Sequence, residues 1–218
     1  MNQTLHGLPP STRARMRIKD ILRRATQLAD VTGATPAARY LQKLDCAGAI
    51  DLAHGDLYAV DFIQNWACGG SYFPALIAHA HCGEANAIEA TFLTPDGDLA
   101  RVKEPKLLLG TPLGGATVRI STDFQSSEEL WIARSIETGC RAAFAGVPRN
   151  VVAGLRMDNI AQALAIEELK PKRIFLAFSL HDETPLKLKQ RVEAAEALRD
   201  RGFEVRIKVV DELEGLAL

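Results

Sequence analysis

In Leu130-Trp131-Ile132-Ala133-Arg134-Ser135-Ile136-Glu137-Thr138, a short apolar run gives way to a polar turn and then to residues that can open a helix. A buried run this short, bounded by a turn, reads as a strand rather than a helix. The same order returns downstream, where the buried-type strand Arg173 to Phe178 passes through Ala177-Phe178-Ser179-Leu180 into a loop. A helix is then expected from Pro185 to Arg201. Thr184 can cap it, Pro185 suits its first position, Leu188, Val192, Ala195 and Leu198 are expected to line one face, and Gly202 can end it. Strands are also expected at Val151 to Ala153 and Glu204 to Val210, and helices at Ile136 to Ala145 and Asp158 to Leu169. Strands alternating with helices from about Ser126 imply an α/β unit, a parallel sheet flanked by helices. Ligands of such sheets gather beyond the carboxyl ends of the strands, so Arg134 to Thr138 and Ser179 to Glu183 are expected at one rim.

Upstream the pattern changes. Ala75 to Ala80, Ala87 to Leu93, Pro105 to Leu109 and Ala116 to Ile120 read as strands of a small antiparallel sheet. Thr94-Pro95-Asp96-Gly97-Asp98 supplies the fixed and the positive φ values of a tight turn. Ala47 to Gly70 reads as irregular. Pro36 to Leu44 reads as a short helix, and the segment before it as a basic amphipathic helix capped by Ser11, so a helical hairpin is expected to open the chain. That first helix carries Arg13, Arg15, Arg17, Lys19, Arg23 and Arg24 against Asp20 alone, with Ile18, Ile21, Leu22, Ala25 and Leu28 at helical spacing. The basic run suits nucleic-acid phosphates, while a solvated helix face is the plainer alternative. The expected division is 1–125 for the helical and β region and 126–218 for the α/β unit.

The chain has 218 residues, 47% hydrophobic and 24% charged, enough for one large or two small domains. No apolar run approaches the roughly 20 residues that span a bilayer, and Met1 to Thr12 lacks a signal-peptide core, so a cytoplasmic protein with no membrane partner is expected. Cys46, Cys68, Cys82 and Cys140 form no C-x₂-C pair, which argues against a zinc ribbon. His79 and His81 share a strand face beside Cys82, but without further ligands at a diagnostic spacing they read as half-buried histidines. Trp66, Tyr72 and Phe73 suit either base stacking or the core. A net charge of −1 excludes a globally polyanion-seeking protein, so local patches matter.

The region from about Leu130 to Val210 resembles a toprim domain, the metal-binding fold of bacterial-type primases, topoisomerases and OLD-family nucleases. Ala38-Arg39-Tyr40-Leu41, the Thr91 to Gly97 stretch, Pro105-Lys106-Leu107-Leu108-Leu109-Gly110 and Gly114-Gly115-Ala116-Thr117-Val118-Arg119 resemble, in the same order, the segment before toprim in phage and plasmid primases. The resemblance therefore runs from about Asp20 through nearly the whole chain, on motifs that are individually short.

Toprim chemistry, as the resemblance implies it, uses a glutamate in a sequence like Ala-Glu-Gly-Ile-Glu-Thr and an Asp-x-Asp after a later strand, all serving Mg²⁺. Here Arg134 stands at the first glutamate, Ser135 at the glycine, and Phe178 and Leu180 at the aspartates. Phe and Leu offer a hard cation nothing, whereas arginine suits phosphate. The expectation is a degenerate site without a cofactor in a pseudoenzyme of mobile-element or phage origin, associated with DNA replication. Its partners would be DNA, single-stranded by preference, and a replication or DNA-processing protein. Arg134, Arg141, Lys187, Lys189, Arg13, Arg17 and Arg24 are the candidate nucleic-acid contacts. Two alternatives stay open: an active primase or nuclease with Mg²⁺ or Mn²⁺ on a shifted set of Glu137, Asp182 and Glu183, and a protein-binding scaffold or inhibitor. Acids near helix starts also serve the helix dipole, which is the structural reading of those three residues.

Overall fold

The computed structural model describes residues 10–30, 35–44, 46, 55–67, 70–82, 85–110, 114–121, 128–144, 150–180 and 184–212. Two five-stranded sheets organise them. The first is an antiparallel meander of β1 (Thr26–Gln27), β2 (Leu57–Gln64), β3 (Tyr72–Cys82), β4 (Ala85–Phe92) and β5 (Lys106–Gly110). The second has the order β10-β9-β7-β8-β6, from β6 (Val118–Arg119), β7 (Glu129–Ala133), β8 (Val151–Ala153), β9 (Arg173–Phe178) and β10 (Glu204–Val209). Its members run parallel except β6, which pairs antiparallel with β8. The protein is thus mixed α/β with one antiparallel and one mostly parallel sheet. Ala116 to Ile120, expected in the antiparallel sheet, instead supplies the edge of the second, upstream of residue 126. An isolated bridge between His81 and Thr117 links the two sheets.

Alternation along the first sheet gives it two apolar faces. Val60, Ala75, Ile77, Ile88, Ala90 and Phe92 meet Ile18 and Ile21 of α1 (Pro10–Arg24). Leu57, Leu76, Ala78 and Ala87, of opposite parity, meet Tyr40 and Leu41 of α2 (Pro36–Lys43) together with Trp131, Ala133 and Phe175 of the second sheet. The expected helical hairpin is therefore absent: each helix has its own apolar stripe, and the two stripes cover opposite faces of one sheet. Ser11 lies inside α1 rather than capping it. In α2 the expected start holds, with Thr35 Oγ1 accepting from the Ala38 N–H at 3.2 Å and Pro36 in the first turn.

β2 falls where irregular chain was expected. Its register slips between Val60 and Ile63, which leaves Asp61 and Phe62 both outward and breaks the alternation that would have marked it. The turn at Thr94 to Asp98 forms as expected, with the Gly97 N–H donating to the Thr94 carbonyl at 3.0 Å. Gly97 has φ +81°, and a Cβ there would stand 2.6 Å from Arg39 Cβ. The glycine is required twice, by its backbone and by the close approach of α2.

The second sheet is covered on both faces. α3 (Ile136–Phe144) lies on the Trp131 and Phe175 side, where these two rings stack at 4.6 Å. α4 (Met157–Ile160), α5 (Leu164–Leu169) and α6 (Pro185–Asp200) cover Leu130, Ile132, Ile174 and Leu176 on the other. The single helix expected from Asp158 to Leu169 is broken at Ala161 to Ala163. Thr184 caps α6, its Oγ1 accepting from the Lys187 N–H at 3.3 Å, and Gly202 with φ +91° follows its end. Its inward stripe is Arg191, Ala194, Ala195 and Leu198, not the line through Leu188 and Val192, which are 49% and 40% exposed.

Candidate functional site

Beyond the carboxyl ends of β7 and β9, Arg134, Ser135, Thr138, Ala177, Phe178, Ser179, Lys187 and Arg191 line one pocket. The loop after β7 and the first turn of α3 form one wall; the end of β9 forms the floor, and α6 the other wall. Sequence reasoning expected the first two at one rim, and the structure brings them together there. The lining has three cationic side chains and no carboxylate. Such a donor set suits an anion and repels a divalent cation.

Each wall is fixed locally. Ser135 Oγ accepts from the Thr138 N–H at 3.2 Å and donates to Thr138 Oγ1 at 3.0 Å, closing the start of α3. Arg191 lies with its guanidinium carbon 4.0 Å from the centre of the Phe178 ring. Phe178, one of the two residues at the expected aspartate positions, therefore carries a cation on its face. Leu180, the other, is 56% exposed. Among the described residues Arg134 makes no hydrogen bond and no ion pair, although its charge is felt at Glu89.

Arg141 is held differently from its expected role. It pairs with Asp211 at 3.1 Å and donates to the Leu44 carbonyl at 3.4 Å, while Asp211 also accepts from the Ser179 hydroxyl at 3.0 Å and the Leu180 N–H at 2.7 Å. These bonds tie α3 to the segments after β9 and β10. Lys189 is exposed on α6, 3.7 Å from Glu193. Arg13, Arg17 and Arg24 lie on α1, on the face of the first sheet turned away from the rim, with Arg17 exposed and Arg24 paired to Asp20 at 3.1 Å.

Glu137 sits beneath the rim in company that the sequence did not reveal. Tyr40 Oη donates to its carboxylate at 2.8 Å and Lys106 Nζ at 2.5 Å. Burial pushes this carboxyl up, but the Lys106 charge and hydrogen bond, its own backbone N–H and the Tyr40 hydroxyl outweigh burial and hold it below the ordinary range. Burial together with Glu137 raises the Tyr40 phenol far above its usual value. Glu89 on β4 completes the cluster: burial, opposed by Lys106 and reinforced by Glu137, pushes its carboxyl up to about 7. One signal was available, because Glu89 occupies the inward parity of β4, with Ala87 and Leu93, where an unpaired acid would be costly. Lys106 carried no such mark.

Asp182, Glu183 and His181 lie outside the described residues. Among the described residues no three His, Cys, Asp or Glu side chains converge closely enough to hold a metal ion. His79 and His81 have ring centres 3.9 Å apart, and His81 Nε2 lies 3.0 Å from Asp56. Trp66 and Phe73 pack edge-on against Phe92, at 5.5 and 6.1 Å, whereas Tyr72 is 60% exposed.

A family model described as a domain of unknown function, DUF7146, matches residues 12–120, which is half of the chain. The chain belongs to the DUF7146 family. The match spans α1, α2, the whole antiparallel sheet and β6, and stops before the rim pocket. No curated protein matches. Among solved structures, the chain is similar to the primase fragment of the bacteriophage T7 primase-helicase protein, at 12% identity and a TM-score of 0.47, over 77% of this chain and 59% of that one. The chain thus spans less than two thirds of that fragment's length. Among the described residues no helix is long and apolar enough to cross a membrane.

Proposed function

We propose that this chain is a nucleic-acid-associated accessory protein that grips backbone phosphate at the rim of a toprim-like sheet without a metal, and that it does not catalyse phosphoryl transfer. The observation that carries this reading is the gathering of Arg134, Lys187 and Arg191 around one pocket with no carboxylate in its lining. Two further features support it. Arg134, at the position where the resemblance expects a catalytic glutamate, is left without a hydrogen bond or ion pair among the described residues. Glu137, the remaining acid of the motif, spends its charge on Lys106 and Tyr40. The resemblance to phage and plasmid primases makes single-stranded DNA the ligand of choice and a mobile-element origin the natural source.

The arrangement binds phosphate through charge and geometry alone. Guanidinium groups present planar forks that match phosphate oxygens, and the Ser135 and Thr138 end of α3 adds the positive end of a helix dipole. Contacts of this kind fix a strand's backbone and read no sequence. The test is fluorescence anisotropy of a labelled oligodeoxythymidylate in EDTA over a salt series. Affinity should fall steeply with salt, with a log–log slope of about −2 for three phosphate contacts on a single strand. Affinity indifferent to salt defeats the reading.

A further inference from the structure

A largely buried carboxyl without a hydrogen bond lies beside this pocket. Glu89 pairs in register with Leu108, and Thr91 with Lys106, so Glu89 and Lys106 are diagonal neighbours on the inner face of the antiparallel sheet. Four charged or titratable groups face Glu89: Lys106 from β5, Glu137 from α3, Arg134 from the loop after β7 and Tyr40 from α2. Lys106 gives its hydrogen bond to Glu137. Among the described residues Glu89 has no hydrogen bond or ion pair, so its ionised form depends on the charges of Lys106 and Arg134 acting through space. Arg134 is also a wall of the rim pocket. One guanidinium therefore stands between a buried acid and the place where a phosphate would sit.

We infer that Glu89 is a proton-linked control on the rim pocket: when it holds its proton, Arg134 turns its whole charge to a bound phosphate, and when ionised it draws on Arg134 and repels the phosphate. The inference rests on the phosphate reading of the pocket. Linkage fixes its sign. If ionised Glu89 weakens binding, a bound phosphate strengthens the hold of Glu89 on its proton, so binding takes up protons and affinity falls as pH rises through about 7. The neighbours do not titrate in that window, since Glu137 is held low and stays ionised while Tyr40 is pushed far up and stays protonated.

The probe is a labelled oligodeoxythymidylate without a terminal phosphate, because a phosphomonoester itself titrates near pH 6. Its affinity is measured in EDTA at constant ionic strength and at pH 6, 7 and 8, for the wild type and for Glu89→Gln. The wild type should lose roughly fivefold in affinity from pH 6 to pH 8, and Glu89→Gln should keep the acid-side affinity throughout. Calorimetry on the wild type in two buffers of different ionisation enthalpy gives an independent reading, a fractional proton taken up per site near pH 7. A flat wild-type profile with no proton uptake, or a variant that falls in parallel with the wild type, overturns the inference and leaves the phosphate reading standing. No binding by either protein at any pH overturns both.

Discussion

Arg191 holds its guanidinium carbon 4.0 Å from the centre of the Phe178 ring, and it does so with only 5% of its surface exposed. A buried cation needs compensation, and the electron-rich face of an aromatic ring supplies part of it. The ring thus has a role at a position where a metal-dependent relative would need an aspartate. It orients a cation toward the rim.

Replacing the ring tests that role. Phe178→Ala removes a contact worth about 0.5–2 kcal/mol and frees the guanidinium, so oligonucleotide affinity in EDTA should weaken by roughly threefold to tenfold. Phe178→Tyr keeps an aromatic face and should bind like the wild type. Anisotropy titrations on the two variants check this, and equal weakening in both would show that the ring's face is irrelevant.

Lys106 compensates Glu137 across the interface between the two halves. In Lys106→Met the carboxylate keeps Tyr40 but loses its counter-charge, which should cost about 2 kcal/mol at pH 8, less than for a fully buried pair because Lys106 is partly in water. The Glu137 carboxyl is held low when folded, so its stabilisation is present above the unfolded value of 4.5 and disappears as pH falls through the lower folded value. The Lys106→Met deficit should therefore shrink in acid, and adding Glu137→Gln should recover part of it. Urea denaturation at pH 4 and pH 8 measures both effects.

Glu89 has the opposite sign. Its carboxyl is raised from 4.5 to about 7, so the folded state binds the proton more tightly and stability declines as pH rises across that interval, then levels off. Glu89→Gln removes the decline. The variant should be more stable than the wild type by about 2 kcal/mol at pH 8 and nearly equal to it at pH 4.5, read from urea midpoints.

Gly97→Ala should destabilise by about 2 kcal/mol or more, since a side chain at φ +81° is strained and its Cβ would meet Arg39 Cβ at 2.6 Å. The loss should appear as a lowered thermal midpoint. A neutral result would mean that α2 and the turn are not in the contact seen here.

Local chemistry in the sequence marked the second half of the fold well. The span of β9, the Thr184 cap, Pro185 and Gly202 of α6 were legible because each depends on residues close in the chain. β2 was hidden by the slip between Val60 and Ile63, which places two successive side chains outward. The wrong face of α6 has a similar cause: Leu188 and Val192 continue an apolar line, but the inward place goes to Arg191, whose partner Phe178 lies on another element. In the site, Arg134 and Lys187 were foreseen together at the rim because the carboxyl ends of parallel strands meet there. Glu89, Lys106 and Tyr40 were not, because their association with Glu137 joins four separate elements. Such a cluster leaves no spacing pattern, and only the inward parity of Glu89 hinted at it.

The most direct test is the affinity of the wild type and of Arg134→Ala for single-stranded oligodeoxythymidylate in EDTA, followed by addition of Mn²⁺. The account predicts binding by the wild type without metal, at least tenfold weaker binding by Arg134→Ala, and no gain on adding Mn²⁺. Binding that appears only with Mn²⁺, or that Arg134→Ala leaves unchanged, would contradict it.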